Sequence, residues 1–217
     1  VMFARTDRLL LRPGFAEDAQ ALAAAIADHG ILRNLATAPS PFTLRDAEAF
    51  LAQPRDPVLP SLVITERTET APRLVGACGL GRRASGAVEL GYWIARSHWG
   101  RGIATEACTA LIDIARALRL SALEGSHFID NPASGRVLEK LGFESTGIIA
   151  PRYSCAREEE CPSRMLRLSL DGEIAATDVI TDVGHATAIA RPELHRHAGI
   201  RGLRESAEER LDVHALP

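Results

Sequence analysis

Up to about Leu170 the apolar positions come in short segments whose spacing alternates between a period of two and a period near three and a half. Leu9-Leu10-Leu11-Arg12 ahead of Pro13-Gly14 predicts a strand, and alanine, leucine and isoleucine at helical spacing from Phe15 to Asp28 predict a helix. After a loop over 34–41, Thr43 is placed to cap a helix running to about Leu51, with Asp46 at the third helical position. Pro54, Pro57 and Pro60 end it. Leu62-Val63-Ile64, Leu74 to Leu80 and Ala87 to Ala95 follow, parted by turns such as Arg83-Ala84-Ser85-Gly86, and predict an antiparallel meander.

The second half alternates helix and strand. Ala104, Ala107, Cys108, Leu111, Ile114, Ala115 and Leu118 recur at three-four spacing, which predicts an amphipathic helix of about 15 residues. A strand over 122–128, a helix from about Pro132 to Leu141, and Gly142 at a left-handed cap come next. Phe143 to Ile149 and Arg164 to Leu170 read as a closing pair of strands with a loop over 150–163 between them. The remainder, 171–217, lacks compact periodicity and reads as a C-terminal extension in which 192–211 could form a helix. His195 and His197 within it do not share a helical face, so no metal site is expected.

Composition narrows the class. The 217 residues, 46% hydrophobic and 24% charged, suit one globular domain with an appendage. A net charge of −3 provides no broad basic field, so nucleic acid is not an expected partner. No apolar run is long enough to span a membrane, and no secretory signal pattern opens the chain. Four cysteines without CxxC spacing fit a reducing cytosol, so a cytoplasmic protein is expected.

Chemistry concentrates where the meander meets the long helix. Gly91-Tyr92-Trp93-Ile94-Ala95-Arg96-Ser97-His98-Trp99-Gly100-Arg101-Gly102-Ile103-Ala104-Thr105 is an apolar strand breaking into a Gly-Arg-Gly turn that opens a helix. Such a turn holds phosphate, because glycines admit positive φ and the first helical N–H groups have no partner in the helix. It is not a P-loop, since no Gly-Lys-Ser/Thr follows, and no Rossmann fingerprint is present.

Asn131-Pro132-Ala133-Ser134 opens the next helix and Leu138-Glu139-Lys140-Leu141-Gly142-Phe143 closes it. With the Gly-rich turn, with Thr6 to Arg12 and with Glu89 to Ile94, these residues resemble the GNAT superfamily of acyl-CoA-dependent N-acyltransferases. The likeness covers about 6–170 and lies nearest the ribosomal-protein N-terminal acetyltransferase branch. It implies an α+β fold in which a mostly antiparallel central sheet, flanked by helices, splays near its middle to admit acetyl-CoA. It further implies pyrophosphate on Gly100, Arg101, Gly102, Ile103, Ala104 and Thr105, pantetheine on main-chain groups of Trp93, Ile94 and Ala95, and the pantetheine arm on Asn131. Trp99 replaces the Gln or Arg that usually opens the family's turn motif, so the main chain is expected to carry the binding. Asn131 also suits plain helix capping, and Arg96 and Arg101 also suit a solvated basic surface.

Strand alternation places Glu89 on the face of Gly91 and Trp93, where it is the candidate base for the acceptor ammonium or else an edge charge or a substrate-anchoring group. The family's usual tyrosine acid, seven residues beyond the asparagine, is replaced by Leu138; Ser134 on the same side matches the serine that the resembled branch uses toward the thiolate, or else it caps the helix or contacts CoA. Tyr153 is a weaker proton source, and Glu158-Glu159-Glu160 would attract a cation or simply face solvent. The expected activity is acetyl transfer from acetyl-CoA to a primary amine, a peptide N-terminus or a small molecule, by direct attack, with a homodimer compatible with the extension. The rival is a non-catalytic acyl-CoA-binding or sensing module.

Overall fold

The computed structural model describes residues 2–69 and 71–171, so the extension over 172–217 and its expected helix at 192–211 lie outside the described residues. Strands β1 (Ala4–Arg5), β2 (Leu9–Arg12), β3 (Ser61–Glu66), β4 (Arg73–Arg82), β5 (Val88–Ile94), β6 (Ala122–Phe128), β7 (Glu144–Ser154) and β8 (Glu159–Ser169) form one sheet in the order β1-β2-β3-β4-β5-β6-β8-β7. Every neighbouring pair is antiparallel except β5 and β6. Those two run parallel and are joined only at Glu89 opposite Glu124, so beyond Glu89 the sheet splays.

Helices α1 (Ala19–Ile26), α2 (His29–Leu32) and α3 (Leu44–Ala52) lie on one face, α4 (Ile103–Ala117) and α5 (Pro132–Lys140) on the other. The pleat of β5 sorts the two cores. Val88, Leu90 and Ile94 pack with Ile103, Cys108 and Leu111 of α4, whereas Trp93 joins Leu22, Ile26 and Leu32 under α1 and α2. Glu89 therefore shares a face with Trp93, as strand alternation predicts.

Local signals produced the expected elements. Thr43 Oγ1 accepts from the Asp46 N–H, and Asp46 Oδ2 accepts from the Thr43 N–H at 2.7 Å, a complete capping box. Gly142 takes φ +88° at the C-terminus of α5, where a side chain would be strained. The closing strands depart from expectation. Pro151 and Pro162, with the charged run between them, suggest a loop over 150–163, yet they sit opposite each other in a long hairpin that turns only at Cys155–Glu158. The pairing partner was invisible locally, since β8 is held on its other side by β6. Strand β1 and the one-turn helix α2 carry no sequence signal long enough to call.

Candidate active site

The Gly-rich turn forms as its glycines require. Gly100 and Gly102 take φ of +74° and +75°, and Gly102 is the left-handed N-cap of α4. A Cβ at Gly100 would touch nothing within 4 Å, so conformation and not space demands glycine there. The first intrahelical bond runs from the Glu106 N–H to the Gly102 carbonyl at 3.0 Å, which leaves the N–H groups of Ile103, Ala104 and Thr105 without a helical partner. An anion at this end is favoured by those donors and by the helix dipole.

A staple fixes the orientation of α4. Glu106 turns away from the cleft: its Oε1 accepts from Thr6 Oγ1 at 2.5 Å and from the Arg8 N–H at 3.0 Å, and its Oε2 accepts from Arg8 Nε at 2.7 Å. Burial pushes this carboxyl up, but the bonds from Thr6 and Arg8 outweigh it and hold it below the usual range. Arg8 Nη1 also donates to the Arg101 carbonyl at 2.9 Å, so the Thr6-Asp7-Arg8 segment grips the turn directly. Arg101 is the exception among the expected phosphate residues. Its guanidinium pairs with Glu66 at 2.6 Å and does not line the cleft, because a carboxylate on the edge of β3 outcompetes solvent for it.

Strand β5 supplies an open edge, with a correction to which residues offer it. The Ala95 N–H donates to the Val75 carbonyl at 2.8 Å, and in an antiparallel ladder bonded pairs alternate, so Trp93 and Ala95 spend their main-chain groups on β4. Tyr92 and Ile94 turn theirs toward the splay. The Ile94 carbonyl is itself taken by the Trp99 indole N–H at 2.7 Å, and the Arg96 guanidinium stacks 4.2 Å over the Trp99 ring. Trp99 thus closes the strand end from the side chain, a role that its departure from the family pattern did not suggest. Ala95 does not line the cleft.

Across the splay, Glu89 is gripped by Arg152 from β7, Nη1 to Oε1 at 2.5 Å and Nη2 to Oε2 at 3.0 Å, while Ser126 Oγ donates to Oε1 at 2.8 Å. Arg83 Nη1 approaches to 3.5 Å. Burial raises this carboxyl, but the Arg152 bonds and charge, with Arg83 and Ser126, bring it below the ordinary value. Sequence reasoning missed Arg152 because it sits in the stretch read as a loop. Trp93 Nε1 and Ser163 Oγ, both buried on this face, have no protein hydrogen-bond partner.

On the opposite side, Asn131 is the N-cap of α5 and its Oδ1 accepts from the Ser134 N–H at 3.4 Å, the capping alternative for this residue. Ser134 Oγ lies 2.9 Å from the Tyr92 hydroxyl. Leu138 is core, 1% exposed. Tyr153 is exposed on β7 and lies outside the cleft, and Glu159 and Glu160 are paired along β8, so the acidic run is an exposed strand end.

A cleft of about 490 Å³ joins these parts. It is lined by Glu89, Trp93, Ile94, Gly100, Gly102, Ile103, Ala104, Thr105, Asn131 and Ser134 among others, and Glu89 is its one carboxylate among the described residues. Also among the described residues, no three or more His, Cys, Asp or Glu side chains gather as metal ligands, and no helix is long and apolar enough to cross a membrane.

A splayed sheet whose open strand runs into a glycine turn and a bare helix N-terminus defines an acyl-CoA-dependent N-acyltransferase. The chain belongs to the GNAT acetyltransferase family, matching its acetyltransferase (GNAT) domain over residues 8–144, and is an N-acetyltransferase. It is 30% identical over 154 residues to the uncharacterised N-acetyltransferase p20 of Bacillus licheniformis, covering 66% of this chain and 83% of that one. Its fold is similar to that of the ribosomal-protein-S5-alanine acetyltransferase of Vibrio fischeri (TM-score 0.65, 19% identity, 79% of this chain and 98% of the other). It is also similar to the microcin C7 self-immunity acetyltransferase MccE, solved with acetyl-CoA and AMP (TM-score 0.65, 16% identity, 76% and 93%).

Proposed function

We propose that this enzyme transfers acetyl from acetyl-CoA to a primary amine, a peptide N-terminus or a small-molecule amine, by direct attack in a ternary complex. The observation that carries the reading is the continuity of the open β5 edge with the α4 N-terminus, facing Glu89, the one carboxylate that lines the cleft among the described residues. The pyrophosphate would lie on the N–H groups of Ile103 to Thr105 and the pantetheine along the edge of Tyr92 and Ile94, with Asn131 Nδ2 free to bond its arm.

Glu89, ionised near neutrality, attracts the acceptor ammonium and takes its proton through water. The freed amine attacks the acetyl carbonyl, whose developing oxyanion is met by the Ile94 N–H at the open edge. The carbon–sulfur bond then breaks with its electron pair leaving on sulfur opposite Ser134, and the second proton of the attacking nitrogen passes to water to leave the neutral amide. All four cysteines are free thiols, in keeping with a cytoplasmic setting. A homodimer, if formed, would use the exposed Ile148 and Ile149 of edge strand β7, and a single-chain mass in sedimentation rejects it.

The deciding experiment is thiol release from acetyl-CoA across peptide, polyamine and aminoglycoside acceptors. Release with one acceptor class is expected. Tight CoA binding with no release from any would replace this reading with the sensing module.

A further inference from the structure

The family's usual tyrosine position on α5 is Leu138, sealed in the core, yet a tyrosine reaches the same helix from the strand. The Tyr92 hydroxyl lies 2.9 Å from Ser134 Oγ and 3.3 Å from the Ser134 carbonyl, and both residues line the cleft. The ring packs against the core, and among the described residues its hydroxyl contacts only Ser134, whose Oγ is the nearer of the two acceptors open to the single phenol proton.

We propose that Tyr92 is a positioning residue for acetyl transfer: its phenol donates to Ser134 Oγ and thereby turns the Ser134 hydroxyl proton into the cleft, toward the sulfur that leaves. The inference rests on the acetyltransferase reading above. A serine hydroxyl has one proton and two acceptor sites. When Oγ accepts from Tyr92, its own proton is released from local bonding, and the accepted bond polarises it into a better donor. Burial first, and Cys108 second, lift the phenol above its ordinary range against the opposing Ser134 bond, so Tyr92 keeps its proton throughout the working pH range.

The step balances without a relay. As the tetrahedral intermediate collapses, the electron pair of the carbon–sulfur bond passes to sulfur, and the Ser134 O–H donates a hydrogen bond to that thiolate. Neither Ser134 nor Tyr92 loses its proton; the thiolate, with an ordinary pKa near 8.5, is protonated afterwards from solvent. The N-terminus of α5, whose first turn carries Ser134, adds its dipole to the same anion.

The test compares wild type with Tyr92→Phe, Ser134→Ala, the double variant and Ser134→Thr, reading both turnover and the ultraviolet thiolate band of bound CoA against pH. His127, Arg136 and Lys140, which also line this half of the cleft, and the buried Cys108 are common to all variants and cancel in the comparison. Each of Tyr92→Phe and Ser134→Ala should lower kcat about tenfold, and the double variant should be no slower than Ser134→Ala alone. The bound thiol should titrate below free CoA in wild type and about one unit higher in both single variants, with Ser134→Thr near wild type.

Additive losses in the double variant, or a bound-thiol pKa that Tyr92→Phe leaves in place, overturn the inference. If wild type acetylates no amine but the thiol titration still depends on both hydroxyls, the functional reading fails and the Tyr92–Ser134 assignment stands. Tyr92→Phe keeps the ring that packs the core, and Ser134→Ala reads the acceptor end of the same bond independently.

Discussion

Arg152 grips both carboxylate oxygens of Glu89 from 63 residues further along the chain, with 2.5 Å and 3.0 Å contacts, and Ser126 bonds the same group. The pairing keeps Glu89 charged near neutrality despite its burial. It also makes Glu89 a weaker base than an unpaired carboxylate would be at that depth.

Arg152→Met should therefore move the acid limb of kcat/KM upward, because burial, which acts upward, is no longer opposed by Arg152. With the folded-state pKa below the unfolded one, the wild-type pair contributes stability above the unfolded pKa, and loses it as pH falls through the folded value. The variant should lose about 3 kcal/mol at neutral pH by urea unfolding, with that acid dependence diminished. An unmoved acid limb would show that Glu89 protonation does not govern the reaction.

The turn should hold its ligand through the main chain. Gly100→Ala adds a Cβ to open space at φ +74° and should cost about 1 kcal/mol of stability. Gly102→Ala, at the helix cap itself, should also weaken CoA binding about tenfold by calorimetry as the donors lose their aim. Trp99→Gln, restoring a polar side chain, should change CoA affinity by less than about threefold, since it removes one indole bond to a carbonyl. The opposite ranking would assign recognition to the side chain.

Glu106→Ala should remove the staple between Thr6, Arg8 and the first turn of α4. About 1 to 2 kcal/mol of stability should go with it, since the Thr6 hydroxyl and the Arg8 N–H lose their shared acceptor. CoA affinity should fall too, although Glu106 itself faces away from the cleft. A Kd that does not move while the melting temperature falls would separate the staple from the ligand site.

Most of the fold was legible because its signals are local. The capping box at Thr43, the period of α4, the glycines at positive φ and the alternation of β5 all act within a few residues of chain, and each predicted its element. The Gly-rich turn was legible for the same reason: a left-handed glycine before a helix is the same feature in sequence and in space. Arg152 was not, since a strand interrupted by Pro151 and followed by three glutamates looks like a loop until β6 and β7 are seen to hold β8 between them.

The sequence by itself determined the family, the face that carries Glu89 and the helix that carries Ser134. Only the tertiary structure decided what those side chains bond to. Glu89 meets Arg152 and Ser134 meets Tyr92 across separations of 63 and 42 residues, and such contacts depend on strand order and register, which no local pattern encodes. The same register turns the main-chain groups of Tyr92 and Ile94, rather than those of Trp93 and Ala95, toward the splay, because hydrogen-bond direction alternates along a strand and one bond from Ala95 to Val75 sets the phase.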